Sequence, residues 1–220
     1  MVAVAPDAVA APPALVRTYG ATTLGPGDLR DPSAVAVGAD GLVYVADLGL
    51  DAVVVFDRDG VYQRQWSVTD PNAIAIAPSS GHVLTLRTSN CTTTEFDATG
   101  ALVGSFGTCG SASGTLSGPT GLAVGADGSV YVLDSGQQYS STGTFIRTWG
   151  SSGNSDGQFR SPLAIARGAD GSIVVTDRTR NDVQVFTADG TFVRKWGTSG
   201  SGDAHFEEPS GVAIAPDGDR

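Results

Sequence analysis

The stretches DPSAVAVGADGLVYVAD at 31–47, DPNAIAIAPSSGHVLTLR at 70–87, GPTGLAVGADGSVYVLD at 118–134 and SPLAIARGADGSIVVTD at 161–177 are versions of one unit. A fifth copy, EPSGVAIAPDGDR, occupies 208–220. Their prolines, Pro32, Pro71, Pro119, Pro162 and Pro209, recur at intervals of 39, 48, 43 and 47 residues. An aromatic closes each unit at Trp66, Phe106, Trp149 and Trp196, and Tyr19 in ALVRTYG matches the end of TFVRKWG. From closing aromatic to next proline is 13 residues in four of five cases, while the step from Trp66 to Pro71 is eight shorter. Such spacing marks a tandem repeat.

Within a unit, four short apolar runs alternate with turn signals. In the fourth, 164–167 is strand a, 172–176 b, 183–186 c and 192–196 d. The a–b turns are GADG at 38–41, 125–128 and 168–171, and the c–d turns are DRDG at 57–60, DATG at 97–100 and TADG at 187–190. Asp and Gly tolerate the positive φ that tight hairpins require. Each unit therefore reads as a four-stranded antiparallel meander, the size of a propeller blade. Strand a carries small residues in alternation (Ala34 and Ala36, Ala73 and Ala75, Gly121 and Ala123, Ala164 and Ala166), as an inner strand near an axis requires. The expected fold is an all-β propeller. Its blades lie near 32–66, 71–106, 119–149 and 162–196, with a partial unit at 209–220 and an outer strand d at 14–19 that belongs to no blade of its own.

The chain has 220 residues, 40% of them hydrophobic, and a net charge of −10. That composition excludes a disordered polyelectrolyte, and no apolar run approaches the ~20 residues of a membrane span. Strong acidity disfavours a nucleic-acid partner. Lys195 is the only lysine against 12 arginines, a skew that suggests a GC-rich bacterial genome. Residues 1–13, MVAVAPDAVAAPP, read as an Ala/Pro-rich lead-in or as the remnant of an export signal.

The units resemble NHL repeats, a family of propellers that most often has six blades. The resemblance rests on Gly157-Gln158-Phe159-Arg160-Ser161-Pro162, the four strands that follow, and Trp196-Gly197, and it extends over about 14–220. It implies a ring larger than this chain supplies. The sequence is accordingly read as a piece of a longer chain, with an open edge at 211–215 through which copies could associate. The departures from the family are Ala52 and Asp182 where it has Arg before strand c, Arg87 where other units have Asp, a Thr-rich 92–94 and a shortened b–c loop after Asp134.

Cys91 begins strand c of unit two, and with the hairpin turning near 98–99 it lies opposite about residue 106. Cys109 is then near enough to bridge, which would imply an oxidising compartment; two unpaired thiols are the alternative. The bridge and the export-like start favour an extracellular or cell-surface protein, and a cytoplasmic location stays open.

In such propellers the d–a and b–c loops share one face, where ligands meet the ring. The ligand-face candidates are Asp47, Asn72, Arg87, Asp134, Asp177, Arg178, Arg180 and His205, with Arg167 a candidate for the tunnel. Asp47, Asp134 and Asp177 are expected to cap their own b–c loops, since Asp readily accepts from turn amides. Arg178 and Arg180 read as a solvated loop. His82 lies on the opposite face, and one histidine, His205, cannot build a zinc site. Asn72 is the only amide or acid at the start of a strand a, so no metal is assigned and calcium has weak support. No Walker loop, G-x-S-x-G, H-E-x-x-H or C-x-x-C occurs. The expected function is a non-catalytic scaffold presenting loops to a protein, glycan or small ligand. The alternative is a metal-dependent lactonase- or lyase-like propeller.

Overall fold

A computed structural model describes residues 25–214. The expected outer strand at 14–19, the lead-in at 1–13 and residues 215–220 of the fifth unit lie outside the described residues. Blade one comprises β1 (Pro32–Val37), β2 (Val43–Asp47), β3 (Ala52–Phe56) and β4 (Tyr62–Ser67). Blade two comprises β5 (Ala73–Ile76), β6 (Val83–Arg87), β7 (Thr92–Phe96) and β8 (Leu102–Phe106). Blade three comprises β9 (Gly121–Val124), β10 (Val130–Leu133), β11 (Gln137–Tyr139) and β12 (Phe145–Thr148). A short parallel pair follows, β13 (Ser151–Ser152) with β14 (Gln158–Phe159). Blade four comprises β15 (Pro162–Arg167), β16 (Ile173–Asp177), β17 (Asp182–Phe186) and β18 (Phe192–Trp196). Each blade is an antiparallel meander in sequence order, and the inner strands stand side by side: β1 beside β5, β5 beside β9, β9 beside β15.

Both faces of a blade are buried by its neighbours, which explains the apolar middle strands. Residues of β3 are buried throughout. In each inner strand, one set of side chains packs backward onto the preceding blade. Ile74 joins Tyr44, Val53 and Val55 of blade one, and Leu122 and Val124 join Leu84 and Leu86 of blade two. The matching residues of blade one, Val35 and Val37, are 64% and 65% exposed, because no blade precedes them among the described residues. At the other end, Val212 and Ile214 of the fifth unit lie against Val174, Val183 and Val185. The part of the expected open edge that is described, 211–214, therefore has its apolar side chains on blade four.

Each long d–a linker folds back and inserts one large side chain at the outer end of a blade. Leu29, Leu116, Phe159 and Phe206 each stand three residues before a proline. Leu29 packs with Val45, Val54 and Tyr62, Leu116 with Cys91, Val132 and Tyr139, Phe159 with Trp149 and Phe186, and Phe206 with Trp196. Hydroxyls stitch the inner ends: Ser33 donates to the Pro71 carbonyl (2.5 Å), Thr88 to that of Pro119 (2.8 Å) and Thr120 to that of Pro162 (2.9 Å).

Cys91 and Cys109 form a disulfide, with Cα atoms 5.1 Å apart. The register differs from the expected one. Thr93, not Cys91, lies opposite Phe106, because the c–d loop is longer than a two-residue turn and the ladder shifts beside Phe96. Residue 91 thus faces the chain two residues further on, close to Cys109.

Candidate functional site

The eight ligand-face candidates divide by what their side chains touch. Asp47 and Asp177 are fully buried. Asp47 accepts from the amides of Arg30, Asp31 and Leu50, and Asp177 from those of Arg160, Ser161, Thr179 and Arg180. Each carboxylate ties its own b–c loop to the linker arriving at the same blade. Asn72 accepts from the Thr88 amide, a similar capping task. Asp47 and Asp177 are occupied by the backbone and present nothing outward, while Asn72 is half-buried.

Arg180 is not solvated as the sequence suggested. It and Asp182 form a buried ion pair at 2.8 Å, each side chain 6% exposed, and the guanidinium also reaches the carbonyls of Gly153 and Ser155. Burying Arg180 is tolerable because its charge is matched and its donors are spent. Arg87 pairs with Asp70 at 3.0 Å. His205 is exposed, with Nδ1 against the Asp203 carbonyl. Arg167 ends the inner strand β15. Its guanidinium lies 6.0 Å over the Tyr131 ring, at the seam between blades three and four, where the Asp127 carboxylate also faces it. Burial holds the Tyr131 phenol above its ordinary pKa, and the Arg167 charge works against that rise.

Asp134 differs from its two counterparts. Among the described residues it accepts from one amide, Ser117 at 2.6 Å, which belongs to the arriving linker and not to its own loop. The cause is local. Blade three has the shortened b–c loop through Ser135 and Gly136, both at positive φ, so no loop amides fold back over the carboxylate.

Asp134 and Arg178 are the two candidates that the fold brings together. They line a cleft of about 730 Å³ between the loops of blades three and four. Arg160, Glu208, Thr179 and Asn181 line it as well, with serine hydroxyls from 117, 135, 152 and 161. Arg178 forms an ion pair with Glu208 across the cleft's edge, and Asn181 accepts from the Glu208 amide at 2.7 Å. The Arg160 side chain is exposed and makes no ion pair among the described residues. Sequence reasoning missed Arg160 and Glu208. Both stand within two residues of a unit's proline, a place the repeat marks as linker and not as site. Among the described residues no group of three His, Cys, Asp or Glu could hold a metal ion.

No family model matches the chain, and no curated protein matches it. Many solved structures do. One is virginiamycin B lyase from Staphylococcus aureus with quinupristin, at 16% identity and a TM-score of 0.60, covering 83% of this chain and 59% of that one. Another is hydrazine synthase of Kuenenia stuttgartiensis, at 16% identity and a TM-score of 0.62, covering 91% of this chain and 57% of that one. A third comprises the WD40 repeats of RRP9, at 11% identity and a TM-score of 0.58, covering 74% of this chain and 50% of that one. The chain spans between half and three-fifths of the length of these structures. Likenesses at such identities show the propeller fold alone.

Proposed function

We propose that the chain contributes to an NHL-type, six-bladed propeller that acts outside the cytoplasm as a non-catalytic binding scaffold. The observation that carries this reading is the cleft between blades three and four. It combines a carboxylate, Asp134, with an exposed guanidinium, Arg160, and a rim of hydroxyls. Such a surface recognises a polar ligand by hydrogen bonds and charge. The test is to probe peptide and glycan arrays with the 220-residue chain and with Arg160→Glu, an exposed substitution compatible with folding. Ligands kept by the parent and lost by the variant support the cleft as the site. Equal retention by both, or none by either, overturns it.

The second reading, a metal-dependent lyase or lactonase, draws support from the likeness to virginiamycin B lyase and from the free acceptor capacity of Asp134. It requires further donors from outside the described residues. Incubating the chain with quinupristin and a divalent cation, then looking for a cleaved product by mass spectrometry, separates the two readings. Turnover abolished by Asp134→Asn would replace the scaffold reading.

A further inference from the structure

The gap between blades one and two is built unlike the others. There the linker is eight residues shorter, so no Leu or Phe is inserted, and a groove of about 480 Å³ opens instead. Its walls come from one face of blade two: Thr85 and Arg87 of β6, Thr92, Thr94 and Phe96 of β7, and Leu102 of β8, with Val68 and Thr69 across from them. The groove is continuous with the interface between the two blades, where Trp66 and Phe96 meet with ring centroids 5.8 Å apart.

The other blades show what this face is shaped to hold. Thr85 occupies the position of Val45, Val132 and Val175, and Thr94 that of Val54, Gln137 and Gln184. In blades three and four that position reads linker backbone. Gln137 donates to the Thr115 carbonyl at 2.6 Å. Gln184 donates to the Gln158 carbonyl at 2.8 Å and accepts from the Gly157 amide at 3.0 Å. Leu102 occupies the position of Tyr62, Phe145 and Phe192. In those blades a linker glycine, Gly27, Gly114 or Gly157, lies against that aromatic side chain, whereas Leu102 is 68% exposed. Blade two thus keeps an exposed leucine, Leu102, at its outer end, next to the buried Phe96 and beside a threonine wall. Thr85 is nearly fully buried in that wall, and its hydroxyl has one bond, at 3.5 Å, the limit of a useful contact. Threonines alone would suit a water-filled gap. An exposed leucine next to a nearly unpaired buried hydroxyl suits a peptide.

We infer that this groove docks an extended segment of a partner polypeptide carrying a Gly-x-Leu or Gly-x-Phe step. The apolar side chain enters beside Phe96, the glycine passes over Leu102, and the threonine hydroxyls bond the segment's backbone. The partner takes the place that the protein's own linkers take at the other blades. The site is separate from the cleft between blades three and four and does not depend on it.

The experiment titrates the 220-residue chain with the synthetic peptide GSSGNSDGQFRS, a copy of its own linker at 150–161. Binding is followed by the amide resonances of Thr85 and Thr94. Saturable shifts are expected. Replacing the peptide's phenylalanine by aspartate weakens binding about 10- to 100-fold, the worth of burying one aromatic side chain. Leu102→Glu, a substitution at an exposed position, weakens it comparably. Shifts indifferent to the phenyl group, or no saturable shift, overturn the inference. So does concentration-dependent dimerisation of the chain alone that moves the same resonances, which would make a second copy the occupant.

Discussion

Trp66 of blade one lies directly against Gly100 of blade two, and a methyl group on Gly100 would come within 2.6 Å of the indole. The same relation joins Phe106 to Gly143 and Trp149 to Gly190. The closing aromatics of blades one to three are thus each roofed by the c–d turn of the next blade. Gly100 also has φ +92, a region that costs other residues strain. Gly100→Ala is therefore expected to lower stability by about 2–4 kcal/mol, strain and overlap together. Gly41→Ala is the control: φ is +80 with open space around it, so only the strain of about 1–2 kcal/mol remains. Denaturant unfolding of both variants checks the difference, and equal losses would refute the roofing contact.

This relation explains which parts of the fold were legible. Pro32 to Pro209, the closing aromatics and the turn glycines announced repeated meanders, because one backbone geometry had to be met at every blade. The inserted Leu29, Leu116, Phe159 and Phe206 carried an equally regular signal, three residues before each proline, yet sit among Gly, Ser and Asp that read as loop. The register beside Cys91 was illegible for another reason. A shift next to Phe96 has no residue code, since it follows from how the c–d loop closes.

Asp177 and Asp134 head the same loop in two blades but carry different loads. Asp177 is buried and holds four amides, whereas Asp134 holds one. Asp177→Ala strands those amides and should cost about 3–5 kcal/mol. Asp134→Ala should cost about 1 kcal/mol. Thermal or denaturant unfolding of the two variants measures the contrast, and similar losses would contradict the assignment of Asp134 to the cleft.

Tyr139 is buried between blades two and three, its hydroxyl near the Gly114 carbonyl (3.2 Å) and the Gln137 side-chain oxygen (3.1 Å). Burial, with a smaller contribution from the Asp134 charge, pushes its pKa from 10.0 up to about 12. The folded protein thus holds this proton more tightly than the unfolded chain. The stability so gained is complete below pH 10 and is lost as the pH rises from about 10 to about 12. Alkaline titration at the phenolate absorbance should show a late step that Tyr139→Phe removes. The same variant should lose less stability across that range, and an unchanged late step would assign it to another tyrosine.

The candidate site was less legible than the fold because equivalent letters did different work. Asp47, Asp134 and Asp177 look alike in sequence, and only the length of the loop behind Asp134 sets it apart. Arg180 looked solvated because its partner, Asp182, was read as part of the same charged loop; the fold turns both inward. The gap between Trp66 and Pro71 and the threonines at 92–94 were separate oddities in sequence. In the structure the short linker faces Thr92 and Thr94 across a single groove, while Thr93 points to the other side of the blade.

The Cys91–Cys109 bridge ties the end of β8 and its linker to the start of β7, beside Leu86 and Leu116. With a sequence separation of 18 between the cysteines, closing that loop in the unfolded chain is worth about 3 kcal/mol on the chain-entropy account. Thiol titration of protein purified without reductant, in denaturant, should find no free thiol, and after reduction it should find two. Reduction should lower the denaturation midpoint, and Cys91→Ala with Cys109→Ala should lower it by a comparable amount without changing the fold. The contrast between the oxidised and reduced protein also bears on location. A bridge already present in protein taken from its native compartment places that compartment among the oxidising ones. Two reactive thiols there would remove the main support for an extracellular scaffold.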